Sequence, residues 1–170
     1  MSGENRGQIE GHETERPAVA ISNLVRREIQ TPVAACLLKG FVEALGYEQA
    51  MQIASAAIQG DGRLAGKMMA ERSGGNTMAD LLWVVREIWA EDEALEFDVL
   101  EMNEERLSFN VTRCRYAELY EQMGVKEFGY CLSCNRDEPL TKGFNPRIRL
   151  VRTQTIMEGA DICDFRFVLE

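Results

Sequence analysis

The hydrophobic pattern of this 170-residue chain changes its period about halfway along. Before residue 90, apolar side chains recur every three or four positions, as at Val25, Ile29 and Val33, which is typical of amphipathic helices. From residue 95 they alternate with polar residues, as in the segment 95–99 (LEFDV), which is typical of half-buried strands. The sequence therefore predicts an α+β domain, with an N-terminal helical half packed on a C-terminal antiparallel sheet.

The first half should contain three or four helices. Pro32 is expected to start a second segment or to kink the first helix, because proline removes a helical hydrogen bond. The Gly-rich segments 60–62 and 73–75 are both predicted as helix breaks, and neither resembles a phosphate-binding loop. Asn76 or Thr77 can then cap the next helix, which carries both tryptophans. Those tryptophans are more readily explained as core residues than as a ligand platform.

The second half should form a sheet of about four strands. The predicted strands are residues 95–99, 107–111, 148–151 and 165–168. Asn103-Glu104-Glu105 predicts the turn of a β-hairpin between the first two. A short helix is expected from Tyr116 to Met123, ended by Gly124.

Composition limits the partners and the location of the chain. A net charge of −9 argues against nucleic acids and anionic membranes as partners, since both attract a basic surface. No apolar run approaches the ~20 residues of a membrane span, and Met1 to Arg16 lacks the apolar core of a signal peptide. We therefore expect a cytoplasmic protein, with a flexible tail over residues 1–17 and a single domain over 18–170.

The only histidine, His12, lies in the predicted tail. A catalytic base must be held within hydrogen-bond reach of its target, so His12 is an unlikely base. Without a second histidine, Ser-His-Asp and Cys-His catalysis and the common histidine-rich zinc sites are excluded. Any chemistry must therefore come from cysteines and carboxylates.

The chain has five cysteines, an odd number that argues against structural disulfides in a reducing compartment. Cys131 and Cys134 form a Cys-x-x-Cys pair, which occurs in metal sites and redox pairs, but no second pair with zinc-ribbon spacing follows. A cysteine often serves as a small buried hydrophobe. For Cys36, on an apolar helix stripe, that is the preferred explanation.

Cys114, Cys134 and Cys163 are the candidate reactive thiols, because each has Arg or Asp nearby in the sequence. Cationic neighbours lower the pKa of a thiol and create a nucleophile at neutral pH. The same three thiols could instead converge on one zinc ion, which accepts an all-sulfur ligand set. Burial as unligated thiols remains the simpler alternative.

Carboxylates and arginines near these thiols could complete a site. Asp137 or Asp164 could orient a water molecule or shuttle a proton. Arg113 and Arg152 could hold a substrate carboxylate between them. The alternative for each arginine is an ordinary surface or inter-strand ion pair.

Several of these segments together resemble the L-2-amino-thiazoline-4-carboxylic acid hydrolase family over residues 24–168. The resemblance rests on the following segments: Arg26-Arg27-Glu28-Ile29, residues 110–118 (NVTRCRYAE), Cys134-x-x-Asp137, Phe144, Arg152-Thr153 and Gly159-x-x-x-Cys163-Asp164-Phe165-Arg166. Cys131 is not part of this pattern, which weakens the case for a Cys-x-x-Cys metal site.

The resemblance implies a hydrolase that opens a small carboxylate-bearing heterocycle, such as a cyclic amidine, by adding water. In this interpretation Cys134 is the nucleophile or site thiolate, Asp137 the acid/base, and Arg113 and Arg152 the anion holders, with Cys114 and Cys163 beside them. No cofactor is firmly implied, although zinc stays an alternative. The expected partner is a small-molecule substrate, and a homodimer is the default oligomer.

A remoter similarity points to a different function. The chain resembles 4-vinyl-reductase-like ligand-binding domains, which also place a helical half before a sheet whose last strand carries Gly-x-x-x-Cys-x-Phe. The matching residues here are Gly159, Cys163 and Phe165. This similarity implies a non-enzymatic module that binds a small molecule.

Overall fold

The computed structural model describes residues 21–170, so the predicted tail and His12 lie outside the described residues. Helix α1 spans Asn23–Leu45, α2 spans Tyr47–Ser73, and α3 spans Met78–Val84. One π-helical turn, Val85–Trp89, continues α3. The predicted helical first half is confirmed.

The second half contains the predicted antiparallel sheet. Its strands are β1 (Leu95–Met102), β2 (Arg106–Cys114), β3 (Ile148–Val151) and β4 (Cys163–Leu169). They are ordered β1-β2-β4-β3. Strands β1 and β2 form the expected hairpin, in which the backbone NH of Asn103 donates to the carbonyl of Arg106 at 2.9 Å. The α+β fold is therefore confirmed.

Three short helices in the second half lie near the sheet. Helix α4 (Arg115–Gln122) matches the predicted helix closely. Helices α5 (Gly129–Leu132) and α6 (Asp137–Phe144) were not predicted. Helix α6 begins at Asp137, so it places that candidate carboxylate at its N-terminus.

The second helical segment expected from Pro32 and the helix break expected at residues 60–62 are wrong. Helix α1 runs through Pro32. Pro32 and Glu28 are both exposed, so water can replace the hydrogen bond that the proline removes from the Glu28 carbonyl. Helix α2 runs through both glycines, and Gly62 is buried against α6.

Close packing of α2 on α6 explains Gly62 and, four residues further on, Gly66. A Cβ on Gly66 would lie 2.0 Å from the backbone oxygen of Leu140, and one on Gly62 would lie 3.0 Å from that of Arg136. The missing side chains let two backbones approach, and this outweighs the cost of glycine inside a helix. The break predicted at residues 73–75 is confirmed, because Gly74 ends α2 in the left-handed conformation.

Thr77 is confirmed as a helix cap. Its hydroxyl accepts a hydrogen bond from the backbone NH of Asp80, and the Asp80 carboxylate accepts one in return from the NH of Thr77. This reciprocal capping box satisfies donors that the first turn of α3 cannot pair internally.

Two hydrophobic clusters form the interior. One joins α3, the π turn and α6 to the sheet, with Phe109 and Phe165 stacked 4.9 Å apart at its centre. The other lies under α1 around Tyr116, Tyr120 and Phe128. Leu95, Cys114 and Ile156 contact both clusters.

The buried face of α1 is not the one that its apolar pattern indicated. Leu24, Ala35 and Leu38 are buried, whereas Ile29 and Val33 are exposed. Cys36 is also exposed, so the prediction that it is buried is wrong. The inner face of α1 carries few apolar residues, some of them small, whereas larger apolar residues point to solvent.

No helix within residues 21–170 is long and apolar enough to cross a lipid bilayer.

Candidate functional site

A cavity of about 370 Å³ lies where the two hydrophobic clusters meet, between the N-terminal part of α1, the C-terminal part of α2 and the sheet. Its volume is within the range of small-molecule sites. Much of its wall is apolar and includes Trp89, Leu95, Val111, Leu140 and Phe165. Polar side chains line the rest.

The most buried polar feature of the cavity is an ion pair between Asp137 and Arg152. The Arg152 guanidinium also donates to the carbonyl of Cys134 at 3.1 Å and lies over the Phe165 ring, 5.1 Å from its centre. Its side chain is only 8% exposed, and that of Asp137 is 21% exposed. Arg152 is therefore held by three contacts and fixes the carboxylate in turn.

Burial raises the pKa of Asp137 above its usual value, although Arg152 opposes the shift. Burial disfavours a charged carboxylate because water no longer solvates it. A carboxylate whose pKa is raised toward neutrality is suited to exchange protons with a ligand. Asp137 is thus the residue of the cavity best placed for acid/base chemistry.

Three further arginines line the cavity, namely Arg26, Arg27 and Arg136. Arg136 pairs with Asp61 of α2. Arg27 donates to Gln30 at 3.1 Å, and among residues 21–170 it has no carboxylate within ion-pair distance. Burial lowers the pKa of Arg27, and the neighbouring charge of Arg136 adds to this effect. An anion bound here would relieve both effects.

The three candidate thiols Cys114, Cys134 and Cys163 all line this cavity, but their pKa values move opposite to our expectation. Burial raises the pKa of Cys114 to about 12. Burial and then the negative charge of Asp137 raise that of Cys134. Burial also raises that of Cys163, although the NH of Ile156 donates to its sulfur at 3.2 Å. At neutral pH these groups are thiols rather than thiolates.

Two predicted site residues lie elsewhere. Arg113 is on β2 outside the cavity, where its half-exposed guanidinium pairs with Glu96 at 3.1 Å and Glu118 at 2.8 Å. Asp164 accepts hydrogen bonds from Thr153 and from the backbone NH of Gln154. Although burial raises the pKa of Asp164, these donors outweigh it and lower the pKa overall. Asp164 orders a loop rather than facing the cavity.

The Cys-x-x-Cys pair does not share one site. Cys131 is buried, with its sulfur 3.4 Å from the Ser55 hydroxyl of α2, whereas Cys134 lines the cavity. In the described part of the chain, no three His, Cys, Asp or Glu side chains are grouped closely enough to hold a metal ion. The zinc hypothesis therefore has no ligand set among these residues.

Sequence reasoning did not assign roles to several cavity residues. Arg27 belongs to a segment on which the family resemblance rests, and Arg136 lies between Cys134 and Asp137. Their positions in these segments were the sequence features that could have marked them as site residues. Tyr116 donates to the buried carbonyl of Trp89 at 2.9 Å and accepts from Asn23 at 3.1 Å. These bonds fix the cavity wall where α1, α4 and the π turn meet.

The fold and the site define an α+β domain with a cavity that holds a buried, ion-paired carboxylate and several arginines. The chain belongs to the family described as L-2-amino-thiazoline-4-carboxylic acid hydrolase, whose model matches residues 26–167. No curated protein matches the chain significantly in sequence.

Two solved structures share the fold at low sequence identity. The phenol-responsive sensory domain of the transcription activator PoxR, solved with phenol, is 14% identical, with a TM-score of 0.54 over 82% of this chain and 74% of that one. Subunit 3 of the trafficking protein particle complex from Naegleria fowleri, covalently bound to palmitic acid, is 12% identical, with a TM-score of 0.54 over 86% of this chain and 96% of that one. These similarities concern the fold alone.

Proposed function

We propose that this protein is a hydrolase that opens a small, carboxylate-bearing cyclic amidine, of the 2-aminothiazoline-carboxylate type, inside the cavity. The observation that carries the proposal is the buried Asp137–Arg152 pair in the cavity wall of a chain that belongs to this hydrolase family. The expected cytoplasmic location accords with such a substrate.

Arg27 is the proposed anchor for the substrate carboxylate. Arg136 and Arg152 also line the cavity with largely buried side chains, but both already have carboxylate partners. A substrate carboxylate beside Arg27 would supply the missing partner in a partly desolvated place, where charge-assisted hydrogen bonds are strong. Arg113, an anion holder in the sequence-based hypothesis, has its own partners outside the cavity.

Asp137 is the proposed acid/base. As the carboxylate, it accepts a proton from a water molecule while the water oxygen bonds to the amidine carbon. One ring bond from that carbon then breaks, C–S in a thiazoline or C–N in an all-nitrogen ring. The proton held by Asp137 passes to the leaving heteroatom, and the second proton of the water moves from the new hydroxyl group to the amidine nitrogen as the carbonyl forms. The product is the substrate plus one water, with a carbamoyl group, and Asp137 returns to its initial state.

The three thiols act in this proposal as neutral parts of the wall. Cys134 is the thiol most directly affected by the ion pair, since Asp137 raises its pKa and Arg152 lowers it. A thiol whose pKa is raised by burial is a weak nucleophile at neutral pH. Attack by water on an amidine needs no covalent intermediate, so Cys114, Cys134 and Cys163 are not assigned one.

The proposal is tested by incubating the protein with a panel of cyclic amidines and imides and analysing the products by mass spectrometry. We expect one or more carboxylate-bearing rings to gain the mass of one water. Arg27→Gln should raise KM for such a substrate with a smaller effect on kcat, because it removes binding rather than chemistry. Arg113→Gln is the matched control and should leave both unchanged.

A binding module without catalysis is the second candidate, and the largely apolar wall around Trp89 and Phe165 favours it. The fold is shared with a phenol-responsive sensory domain. Tight binding of one panel compound without turnover would support this candidate and contradict the hydrolase. Turnover that Asp137→Asn abolishes would do the opposite.

A further inference from the structure

The outward face of α1 carries a row of large apolar side chains, which we call the outer stripe: Ile29, Val33, Leu37 and Phe41. They recur every four residues, and 61%, 64%, 58% and 46% of their surfaces are exposed. Successive residues four apart share one side of a helix, and the buried residues of α1 lie on the opposite side. A contiguous apolar row of this kind marks an interaction surface.

We propose that the outer stripe is covered by the same stripe of a second copy, with the two α1 helices antiparallel. The charges at the two ends of α1 favour this occupant. Arg26, in line with the stripe, and Arg27 lie at its start, whereas Glu43 is exposed in its last turn and Glu48 is exposed in the first turn of α2, which follows directly. An antiparallel pair places the basic end of each helix beside the acidic end of the other. A parallel pair would place like charges together.

The other charged residues of α1 do not oppose this arrangement. At 100° per residue, Glu28 and Lys39 project more than a third of a turn away from the centre of the stripe, so they face away from the proposed contact. The helix dipoles also favour antiparallel neighbours, because the positive end of one helix then lies beside the negative end of the other.

The cavity adjoins this surface. Arg26 and Gln30 line the cavity and are themselves exposed next to the stripe. Exposed Leu64 and Met68 of α2 line the opposite side of the opening. In the proposed dimer, the acidic end of the second α1 therefore lies beside the mouth of each cavity, so substrate access and assembly involve the same surface.

Cys36 provides a test of the antiparallel arrangement of the two α1 helices. It lies beside the stripe near the middle of α1, between Val33 and Leu37 in sequence, and it is the exposed cysteine among the five. In an antiparallel pair centred there, Cys36 meets Cys36 of the second copy on one flank. The α-carbons of two cysteines must come within about 7 Å to form a disulfide. Parallel helices or a contact elsewhere would not bring them together.

The test combines light scattering with mild oxidation of the full chain. We expect the mass of a dimer at micromolar concentration, and Leu37→Glu should convert it to a monomer with an unchanged circular dichroism spectrum. Leu100→Glu is the matched control, because Leu100 on β1 is similarly exposed, at 57% against 58%. It should remain a dimer.

Oxidation should give a covalent dimer in the wild type and none in Cys36→Ser, which should still be a dimer by light scattering. A monomeric wild type would overturn the proposal and leave residues 1–20 or another protein to cover the stripe. A dimer that survives Leu37→Glu would also overturn it. A dimer without the Cys36 cross-link would overturn the antiparallel geometry.

Discussion

Replacing Arg152 by methionine tests whether Asp137 is a buried, titrating carboxylate. Methionine keeps most of the aliphatic stem, which packs near Phe165, but removes the partner of Asp137 and the donor to the Cys134 carbonyl. Removal of one partner from a buried ion pair costs about 3–5 kcal/mol of unfolding free energy. That cost assumes that the remaining charge stays ionised.

Asp137 can avoid part of this cost by binding a proton. In the wild type, burial raises its pKa and Arg152 lowers it again in part, so loss of Arg152 should raise the pKa further. An acid whose folded pKa exceeds its unfolded pKa binds more protons in the folded state. The unfolding free energy therefore falls as pH rises between the two values, by about 1.4 kcal/mol per pH unit.

The effect of Arg152→Met should therefore depend on pH. We expect the smallest loss at acidic pH, where Asp137 can bind a proton in the variant, and about 3–5 kcal/mol at alkaline pH, where it is ionised. Urea unfolding followed by tryptophan fluorescence measures this, since Trp89 is buried at the cavity wall. In the double variant Arg152→Met, Asp137→Asn, the loss of unfolding free energy should no longer increase with pH. An equal loss at all pH values in the single variant would refute a titrating Asp137.

The remaining predictions concern packing, hydrogen bonding and the thiol. Gly66→Ala should cost about 3 kcal/mol or more in urea unfolding, because its Cβ meets the α6 backbone and overpacking forces backbone shifts; Gly60→Ala, in the same helix with open space around it, should instead stabilise by about 0.5–1 kcal/mol. Tyr116→Phe leaves the buried Trp89 carbonyl without its donor and should cost about 1–3 kcal/mol, a result that an unchanged urea midpoint would contradict. Cys134→Ser replaces one neutral group by another and should change kcat by no more than about tenfold, or about 1.4 kcal/mol; a folded but inactive variant would return the nucleophile role to Cys134.

The fold was predictable from the sequence where the local signal and the tertiary contacts agree. The alternation in β1 and β2 and the capping residue Thr77 are local patterns, and the structure confirms both. The break predicted at residues 60–62 is wrong, because a helical glycine such as Gly62 that permits close approach of α6 has the same local appearance as one that ends a helix.

The cavity was predictable in part for a similar reason. Cys114, Cys134, Cys163, Asp137 and Arg152 were selected from the sequence, and the structure brings all five to one cavity. Their protonation could not be inferred in the same way. Sequence neighbours suggested lowered thiol pKa values, but burial, which depends on the whole fold, raises them. For the same reason the sequence could not distinguish Arg27, which has no carboxylate partner among residues 21–170, from Arg113, which has two.

The central claim, that Asp137 drives the addition of water to a cyclic amidine, is tested most directly in oxygen-18 water. The wild-type protein is incubated with 2-aminothiazoline-4-carboxylate and the product is analysed by mass spectrometry, beside Asp137→Asn and the exposed control Asp98→Asn. We predict a ring-opened product with one heavy oxygen in its carbamoyl group, formed by the wild type and Asp98→Asn but not by Asp137→Asn. Labelled product formed at an undiminished rate by Asp137→Asn, or no product from the wild type, would contradict the account.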